Sequence, residues 1–441
     1  MRFVRFFFCF VCVVCGLCVK ARVIGGVSDE GTKHYSLAYY LDVAQKNSPL
    51  IYDFRNQQHI QQAEELRLKA LYTQARVELN GDYLFVPVVS TAGGKTSFQW
   101  NAQDGTDYWG YDLGQSSGHL QAGVTWTKPL LGGAVYKVAR EQTRAGMETL
   151  DYKVKLEKHQ LERAVTEQYI LCLLDKAQMA YTDSVSTLLT RQETVTRKLI
   201  KAGFAKVSDV HLLNIEMAAN KDLRVASFQS YKSHLADLNV LCGIRDTAYR
   251  ELEDVELALH PSPSATLPAF LEQYRVDSLQ TVAGLHNFNL QYKPQLNVFA
   301  NAGLQVGSFH AFEKHFGMSG GLSFSWILFD GRQRRYKEQQ ARAQLNSIRI
   351  YRDNFLLQNE LRKRQYLEQM KICDNRYAAL KKQLEEYDRL LLDYKKEIAA
   401  GQMSLLDYIT VLRNKIQTEK DYLLLRANRQ LMIAAFNYWN W

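Results

Sequence analysis

The chain contains one pattern twice, as Gly123-Val-Thr-Trp-Thr-Lys-Pro-Leu-Leu-Gly-Gly133 and, 321 − 123 = 198 residues later, as Gly321-Leu-Ser-Phe-Ser-Trp-Ile-Leu-Phe-Asp-Gly331. The residues that match further along at the same offset are Gln142, Arg144, Ala145, Gly203 and Asp209 with Gln340, Arg342, Ala343, Gly401 and Asp407. An ungapped register over about eighty residues predicts two copies of one structural unit.

Proline placement indicates where long helices can form. All seven prolines lie at positions 49, 87, 129, 261, 263, 268 and 294, so none falls between 130 and 260 or after 294. Because proline interrupts a helix, both proline-free tracts can hold long helices. Apolar residues recur there at helical spacings, as in Met147, Leu150, Val154, Leu161, Val165, Tyr169 and Cys172, and in Ile409, Leu412, Ile416, Leu423 and Ala427. We predict helices over 134–201 and 332–399, each roughly 100 Å long at about 1.5 Å per residue.

Four shorter segments alternate apolar residues with small or polar ones. They span 77–86, 119–127, 296–305 and 318–326, of which the first is the least regular. One apolar and one polar face are typical of a membrane barrel with a wet lumen, although a soluble sheet with one buried face has the same alternation. In the barrel interpretation, the side chains that face lipid include Leu120, Val124, Trp126, Leu322, Phe324 and Trp326.

Four strands are too few to close a barrel. Lipid cannot satisfy the N–H and C=O groups of an open sheet edge. If these strands cross a membrane, several chains must therefore contribute to one barrel. If the sheet is inserted in a membrane, its two open strand edges therefore predict oligomerisation.

The first residues are typical of an export signal. They have a basic start at Arg2, an apolar core over 6–17 and small residues before a cleavage site after Ala21. We therefore predict a signal peptide over 1–21 and an exported mature chain. Lipidation at Cys15 or Cys18, or a retained anchor, is the alternative.

Composition excludes several classes of function. The 441 residues are 46% hydrophobic and 23% charged, as in an ordinary folded protein. The net charge of +9 is not concentrated in any Lys/Arg run, which argues against a nucleic-acid partner. Cys172, Cys242 and Cys373 remain after the signal, an odd and scattered set that predicts no disulfide framework. No phosphate loop, metal-ligand spacing or nucleophile elbow is present, so we expect neither an enzyme nor a cofactor.

Several motifs have a familiar order. They are Tyr35-Ser-Leu-Ala-Tyr-Tyr-Leu-Asp-Val-Ala-Gln-Lys-Asn-Ser-Pro49 in an opening helix, Lys128-Pro-Leu-Leu-Gly-Gly133 and Trp326-Ile-Leu-Phe-Asp-Gly331 at strand-to-helix junctions, and Ala202-Gly-Phe-Ala-Lys-Val-Ser-Asp209 and Ala400-Gly-Gln-Met-Ser-Leu-Leu-Asp407 at helix-tip turns. Their order and doubling resemble the outer-membrane efflux protein family, the TolC-like channels. The resemblance covers nearly all of the mature chain.

The resemblance implies a mixed α and β membrane protein. Three protomers of four strands each would form a twelve-stranded barrel in the outer membrane of a Gram-negative-type bacterium, continued by a long antiparallel α-helical tunnel in the periplasm. Such a homotrimer exports small molecules passively, as in multidrug efflux, together with a periplasmic adaptor (a membrane fusion protein) and an inner-membrane pump. The alternatives are the outer-membrane component of a type I protein secretion system and an exported coiled-coil scaffold.

The same resemblance divides the mature chain. It gives repeat 1 over 22–241 with a β-hairpin at 77–128, an equatorial linker over 242–268, and repeat 2 over 269–441 with a β-hairpin at 296–328. The aromatic and polar stretch from Phe98 to Tyr111 becomes an external loop between the first two strands, or a self-packed surface loop.

The doubled turns at the helix tips are candidate functional residues. Gly203 and Gly401 each follow a long helix, where glycine can cap the helix in the left-handed conformation. The resemblance adds that the adaptor docks on these tips, at Gly203, Phe204, Gly401 and Gln402. The cap and the docking role are compatible.

Acidic residues follow both turns. The resemblance places Asp407 at the periplasmic aperture, where three copies would form a ring, with Asp209 and Thr410 nearby. As an alternative, Ser404 and Asp407 form a capping box at a helix start. Ile398 and Met403 stand where the family has a gating tyrosine and arginine, so the polar lock of that family is not expected here.

Overall fold

The computed structural model describes residues 35–83, 88–99, 120–246, 248–261, 268–306, 316–400 and 402–441. The predicted signal peptide, Gly401 and the part of the aromatic stretch from 100 to 111 lie outside the described residues. So do residues 84–86 of the first predicted strand and parts of the predicted linker, namely 247 and 262–267.

Helices account for most of the described chain. They are α1 (Leu37–Asn47), α2 (Pro49–Thr73), α3 (Gly132–Lys201), α4 (Val207–Leu241), α5 (Glu272–Phe288), α6 (Gln333–Ala399) and α7 (Leu405–Trp439). α3 has 70 residues and α6 has 67, so the two long helices predicted from the proline-free tracts are confirmed. Ser48 separates α1 from α2 because its side chain accepts a hydrogen bond from the Ile51 N–H at 3.4 Å, while Pro49 begins α2.

The strands are β1 (Arg76–Tyr83), β2 (Val88–Ala92), β3 (Lys95–Gln99), β4 (Leu120–Pro129), β5 (Gln295–Val306) and β6 (Phe316–Ser325). Four of them form one antiparallel sheet in the order β1-β4-β5-β6. These four coincide closely with the four predicted segments. β1 and β6 are the edges of the sheet.

β2 and β3 form a separate hairpin that the sequence analysis missed. It occupies 88–99, so Phe98 lies in a strand rather than in a loop. Gly93 and Gly94 connect the two strands with φ of +63° and +78°. A two-residue hairpin turn of type I′ needs positive φ at both positions, so the Gly-Gly pair was the available signal.

The helices next to the sheet follow the order of its strands. α2 packs on α3, α3 on α5 and α5 on α6. Along the chain, α2 leads into β1, β4 into α3, α5 into β5 and β6 into α6. The helical layer α2-α3-α5-α6 therefore has the same lateral order as the sheet β1-β4-β5-β6. The chain therefore forms a strip whose edges are β1 with α2 and β6 with α6.

Farther from the sheet, α3 pairs with α4 and α6 with α7. The segment over 248–261 crosses these helices: the Tyr169 hydroxyl donates to the Glu253 carbonyl at 2.6 Å, and Gln430 accepts from the Leu257 N–H at 2.8 Å. Buried Tyr40, Tyr169 and Tyr231 form the core at this level. Within the described ranges, no helix is both long and apolar enough to cross a membrane.

Candidate functional site: sheet faces and helix tips

The register of the sheet sorts its side chains onto two faces, because residues directly opposite one another point the same way. One row reads Leu79, Val124, Ala302 and Met318, and the next reads Val77, Trp126, Ala300 and Gly320. The row on the other face reads Glu78, Thr125, Asn301 and Ser319. The sheet therefore has one apolar and one polar face.

The apolar face is uncovered in the single chain. Leu79 is 81% exposed, Met318 79% and Leu322 66%. Of the predicted lipid-facing residues, Val124, Trp126, Leu322 and Phe324 share this face and are exposed. Leu120 belongs to β4, but its side chain lies outside what the structure describes.

Trp326 follows β6 by one residue. Its indole Nε1–H donates to the Tyr292 carbonyl at 3.1 Å, which ties the end of β6 to the chain before β5. The one polar group of the indole is thus satisfied, while Trp326 remains 53% exposed.

Glycines cross the polar face in one row. Asn80, Gly123, Gly303 and Gly317 lie opposite one another on successive strands. A Cβ built on Gly303 would lie only 2.5 Å from the Gly123 Cα. Close approach of this kind is expected on the concave side of a curved sheet, where glycine relieves crowding. The glycine row therefore favours curvature toward the polar face.

Phe299 is the large apolar residue on that polar face. It lies opposite Gly321 on the edge strand β6, and a Cβ on Gly321 would come within 3.0 Å of the Phe299 ring. The ring thus covers a glycine, an arrangement that stabilises glycine-containing edge strands.

The first helix tip ends in a glycine cap. Gly203 has φ of +83°, the Gly203 N–H donates to the Ile200 carbonyl at 3.0 Å, and the Phe204 N–H donates to the Leu199 carbonyl at 2.9 Å. This pair of bonds is the Schellman motif. At the second tip, the Gln402 N–H donates to the Glu397 carbonyl at 2.9 Å. Phe204 is 68% exposed. The hydrogen bonds of this turn join backbone groups, so the cap does not require an aromatic side chain at this position.

The two acidic residues past the tips have different partners. The Asp209 carboxylate accepts from the Lys206 N–H at 2.9 Å, as in one half of a capping box. Ser404 accepts from the Leu406 N–H at 3.2 Å, and Asp407 is exposed, with no hydrogen bond to its carboxylate among the described residues. A capping-box role is therefore seen for Asp209 and not for Asp407. Thr410 is exposed, and its hydroxyl donates to the Leu406 carbonyl at 2.9 Å.

The tips of the two helical hairpins meet in one apolar cluster. Its buried members are Val185, Leu189, Leu213, Leu391, Ile398, Leu405, Tyr408, Ile409 and Leu412. Ile398 is thus a core residue, and Met403 packs against the same cluster. Burial raises the pKa of Tyr408 to about 12, and its hydroxyl has no hydrogen-bond partner in the described part of the chain.

An ion pair near the tips was not predicted from the sequence. Arg413 on α7 donates through Nε to Glu216 on α4 at 2.7 Å, and the Glu216 side chain is only 10% exposed. This hydrogen bond raises the pKa of Arg413. The two residues are 197 positions apart, so no local pattern in the sequence could have paired them.

Comparison with solved structures identifies the fold. No protein-family profile matches the sequence, and no curated protein matches it. The outer membrane protein VceC of Vibrio cholerae superposes with a TM-score of 0.67 at 11% identity, covering 92% of this chain and 96% of that one. The Campylobacter jejuni CmeC outer membrane channel gives 0.65 at 12% identity, covering 91% and 85%. The chain has the TolC-like channel fold. The open state of the Neisseria gonorrhoeae MtrE outer membrane channel also has this fold, with a TM-score of 0.63 at 13% identity and coverage of 92% and 88%.

In this TolC-like chain the candidate residues fall into two groups. The sheet faces and the helix tips lie at opposite ends of α3, a helix of 70 residues and about 100 Å. Across the described ranges, no group of His, Cys, Asp or Glu side chains is arranged to hold a metal ion. The two groups of residues are therefore separated by about the length of α3.

Proposed function

We propose that three copies of this chain form an outer-membrane exit duct for a tripartite efflux system. The observation that carries the proposal is the strip-shaped protomer, with one bare apolar sheet face, one polar face and two strand edges that have no partner among the described residues. In water, an exposed apolar face and two open edges favour aggregation. In a membrane, both are satisfied if copies join edge to edge.

The size of the resulting barrel supports three copies rather than two. Two copies would give eight strands, whose interior is about filled by side chains, whereas three give twelve strands and a wet lumen. The small and polar residues of the inner face, among them Thr125, Asn301 and Ser319, suit a water-filled passage.

Below the barrel, we propose that α3, α4, α6 and α7 of the three copies enclose a periplasmic tunnel. The tunnel would conduct passively, so a pump in the inner membrane and a periplasmic adaptor would supply energy and substrate. Docking of the adaptor on the tips, at Gly203, Phe204, Gly401 and Gln402, is supported by the exposure of Phe204 beside a rigid glycine cap.

The aperture at the tips is proposed to carry a ring of three Asp407 carboxylates, with Thr410 one turn further along α7 and Asp209 at the first tip. In support, the Asp407 carboxylate is exposed and has no hydrogen bond among the described residues, so its charge is available to ions. Ile398 and Met403 belong to the apolar cluster within the protomer, so this cluster, rather than a polar lock, would hold the closed tip together.

The experiment that tests the function is conductance across a planar bilayer. Purified protein inserted into the bilayer should give discrete, long-lived conductance steps, and cells lacking the protein should accumulate a fluorescent efflux dye. Folded protein that incorporates into lipid without conducting would contradict the channel, and unchanged dye accumulation would contradict its role in efflux.

A further inference from the structure

We propose that β6 of one protomer pairs with β1 of the next in the register that β4 and β5 already have inside the chain. This inference rests on the proposed oligomeric channel and adds the residues that join its copies. The partner is a second copy of the same chain. The two halves of the protomer correspond to each other, so the junction between the halves is a template for a junction between copies.

The correspondence can be measured at element ends. α4 spans 207–241 and α7 spans 405–439, so both bounds differ by 198. Before the hairpins, α2 ends at Thr73 and a short 3-10 turn after α5 ends at Tyr292, and β1 and β5 begin at Arg76 and Gln295. Here the offset is 292 − 73 = 295 − 76 = 219. The last helices thus follow an offset of 198, the same offset that relates the sequences 123–133 and 321–331 at the second strands, and the first strands follow 219.

The two hairpins satisfy both offsets together. Arg76 pairs with Thr127 in the first hairpin. Adding 219 and 198 gives Gln295 and Ser325, which pair in the second hairpin. The two hairpins therefore have the same register, and β4 corresponds to β6 as β1 corresponds to β5.

The junction between the halves can now be transferred. Inside the chain, Thr127 pairs with Phe299, Trp126 with Ala300 and Lys128 with Val298. Adding 198 to the first residue and subtracting 219 from the second gives Ser325 opposite Asn80, Phe324 opposite Gly81 and Trp326 opposite Leu79 of the next copy. Likewise, the bond from the Leu130 N–H to the Leu296 carbonyl becomes one from Leu328 to Val77.

The transferred pairs fit chemically. They bring together the large apolar residues that the single protomer leaves bare at its two edges: Val77 (65% exposed), Leu79 (81%), Phe324 (63%), Trp326 (53%) and Leu328 (80%). Phe324 would lie beside Gly81, a large residue beside a small one, as Trp126 lies beside Ala300 within the chain. Asn80 and Ser325 would meet on the polar face.

The lengths of β4 and β6 also support the pairing of β6 with β1 of a second copy. β4 continues to Pro129, because its last two residues, Lys128 and Pro129, pair only with β5. The equivalent residues are Trp326 and Ile327, and β6 ends before them at Ser325. Since β6 has no neighbour on that side in the single protomer, its shorter length is what the absence of β1 from a second copy would produce.

The helical layer supports the same junction. On α3, the residues Val138, Ala145, Tyr152 and His159 recur every seven positions, and Tyr152 and His159 contact Phe270 in the 3-10 turn just before α5. Adding 198 gives Tyr336, Ala343, Ile350 and Leu357 on α6, which we call the α6 seam. All four are exposed. α2 of the next copy would cover this seam, as α5 covers its counterpart on α3.

Cysteine crosslinking tests the register. Asn80→Cys and Ser325→Cys together should form a disulfide between copies, because facing residues of a non-hydrogen-bonded pair have Cα atoms about 4.5 Å apart. The equivalent pair, Thr127 and Phe299, is of this kind, since Leu130 and Leu296 form the hydrogen-bonded pair three residues away. The native Cys172, Cys242 and Cys373 are buried in the helices and should not compete.

The matched control shifts the register by two residues on the same face, with Asn80→Cys and Ser323→Cys. We expect a covalent trimer on a denaturing gel for the first pair, removed by reductant, and no band beyond the single-cysteine background for the control. A second pair in the same register, Glu78→Cys with Ile327→Cys, should give the same band if the first variant fails to assemble. Crosslinking of the control pair but not of the two register pairs would overturn the proposal.

The result is separable from that of the proposed function. Conducting trimers that crosslink at none of the register pairs would reject the register and leave the channel intact. A protein that neither conducts nor associates in lipid would reject both.

Discussion

At the scale of single residues, Gly132 is the position where the backbone leaves least room. A Cβ at this residue would lie 1.5 Å from the carbonyl oxygen of Tyr72. The start of α3 can therefore approach the end of α2 this closely only because residue 132 has no side chain. We predict that Gly132→Ala lowers the stability of the folded protein by about 3 kcal/mol, since neither backbone segment can move independently.

The measurement is thermal unfolding of the purified protein, with Gly133→Ala as the control. No atom lies within 4 Å of a Cβ at Gly133, so alanine there should be neutral or stabilising by about 0.5 kcal/mol. Equal melting temperatures for the two variants would show that the contact with Tyr72 does not constrain the junction.

Asp407 carries the second prediction at this scale. Three exposed carboxylates around a narrow aperture should attract cations, so Asp407→Asn should weaken the cation preference of the channel. Asp209→Asn should change the preference less, because the Asp209 carboxylate already accepts a backbone N–H. Reversal potentials in a salt gradient measure both effects. If wild type and Asp407→Asn give the same reversal potential, Asp407 does not line the conducting path.

At the scale of elements, the pair of Arg413 and Glu216 links α7 to α4 by charge, beside the apolar cluster in which both helices take part. Removing the arginine would leave a nearly buried carboxylate without its partner. We predict that Arg413→Ala costs about 2 kcal/mol, between the values for exposed and fully buried pairs, because Arg413 itself is half exposed.

Hydrogen exchange should locate this effect, with faster exchange at the starts of α4 and α7 and little change near the sheet. Arg389→Ala is the matched control, since its pair with Glu386 is exposed on both sides and should be worth less than about 1 kcal/mol. Similar exchange in the two variants would count against a structural link between α4 and α7.

The α6 seam provides the other prediction for an element. Ile350 is 59% exposed in the protomer but is expected to be covered by the next copy. Ile350→Asp should therefore weaken association of copies by at least about 2 kcal/mol, through an unpaired charge in an apolar contact, whereas Ile350→Leu should not. Dissociation in detergent, followed by native gels, measures both. Equal resistance of the two variants to dissociation would place Ile350 outside the junction.

The sequence predicts elements well where one signal extends over many residues. The ends of α3 and α6 come within two residues of 134–201 and 332–399, because proline-free tracts and the 198-residue offset constrain them together. The hairpin at 88–99 was missed because only Gly93 and Gly94 mark it. Partners such as Glu216 and Arg413, or Gly132 and Tyr72, could not be predicted, since they depend on how distant helices pack.

At the scale of the whole molecule, the protomer is a strip that is open on both sides in both layers. In the part of the chain that the structure describes, the strand edges β1 and β6 lack partners, and the α6 seam is exposed on the same side as β6. When identical copies close into a ring, the β6 and α6 side of one copy meets the β1 and α2 side of the next. The strand edges and the α6 seam are then covered together. Sheet and helices would therefore close together rather than in separate steps.

The number of copies in lipid tests this account most directly. Mature protein reconstituted into nanodiscs of outer-membrane lipid should have, by native mass spectrometry or light scattering, the mass of three chains, because three copies give twelve strands and satisfy every edge. A stable, folded monomer in the same lipid would contradict the account, since its two strand edges would then lie unpaired in the membrane.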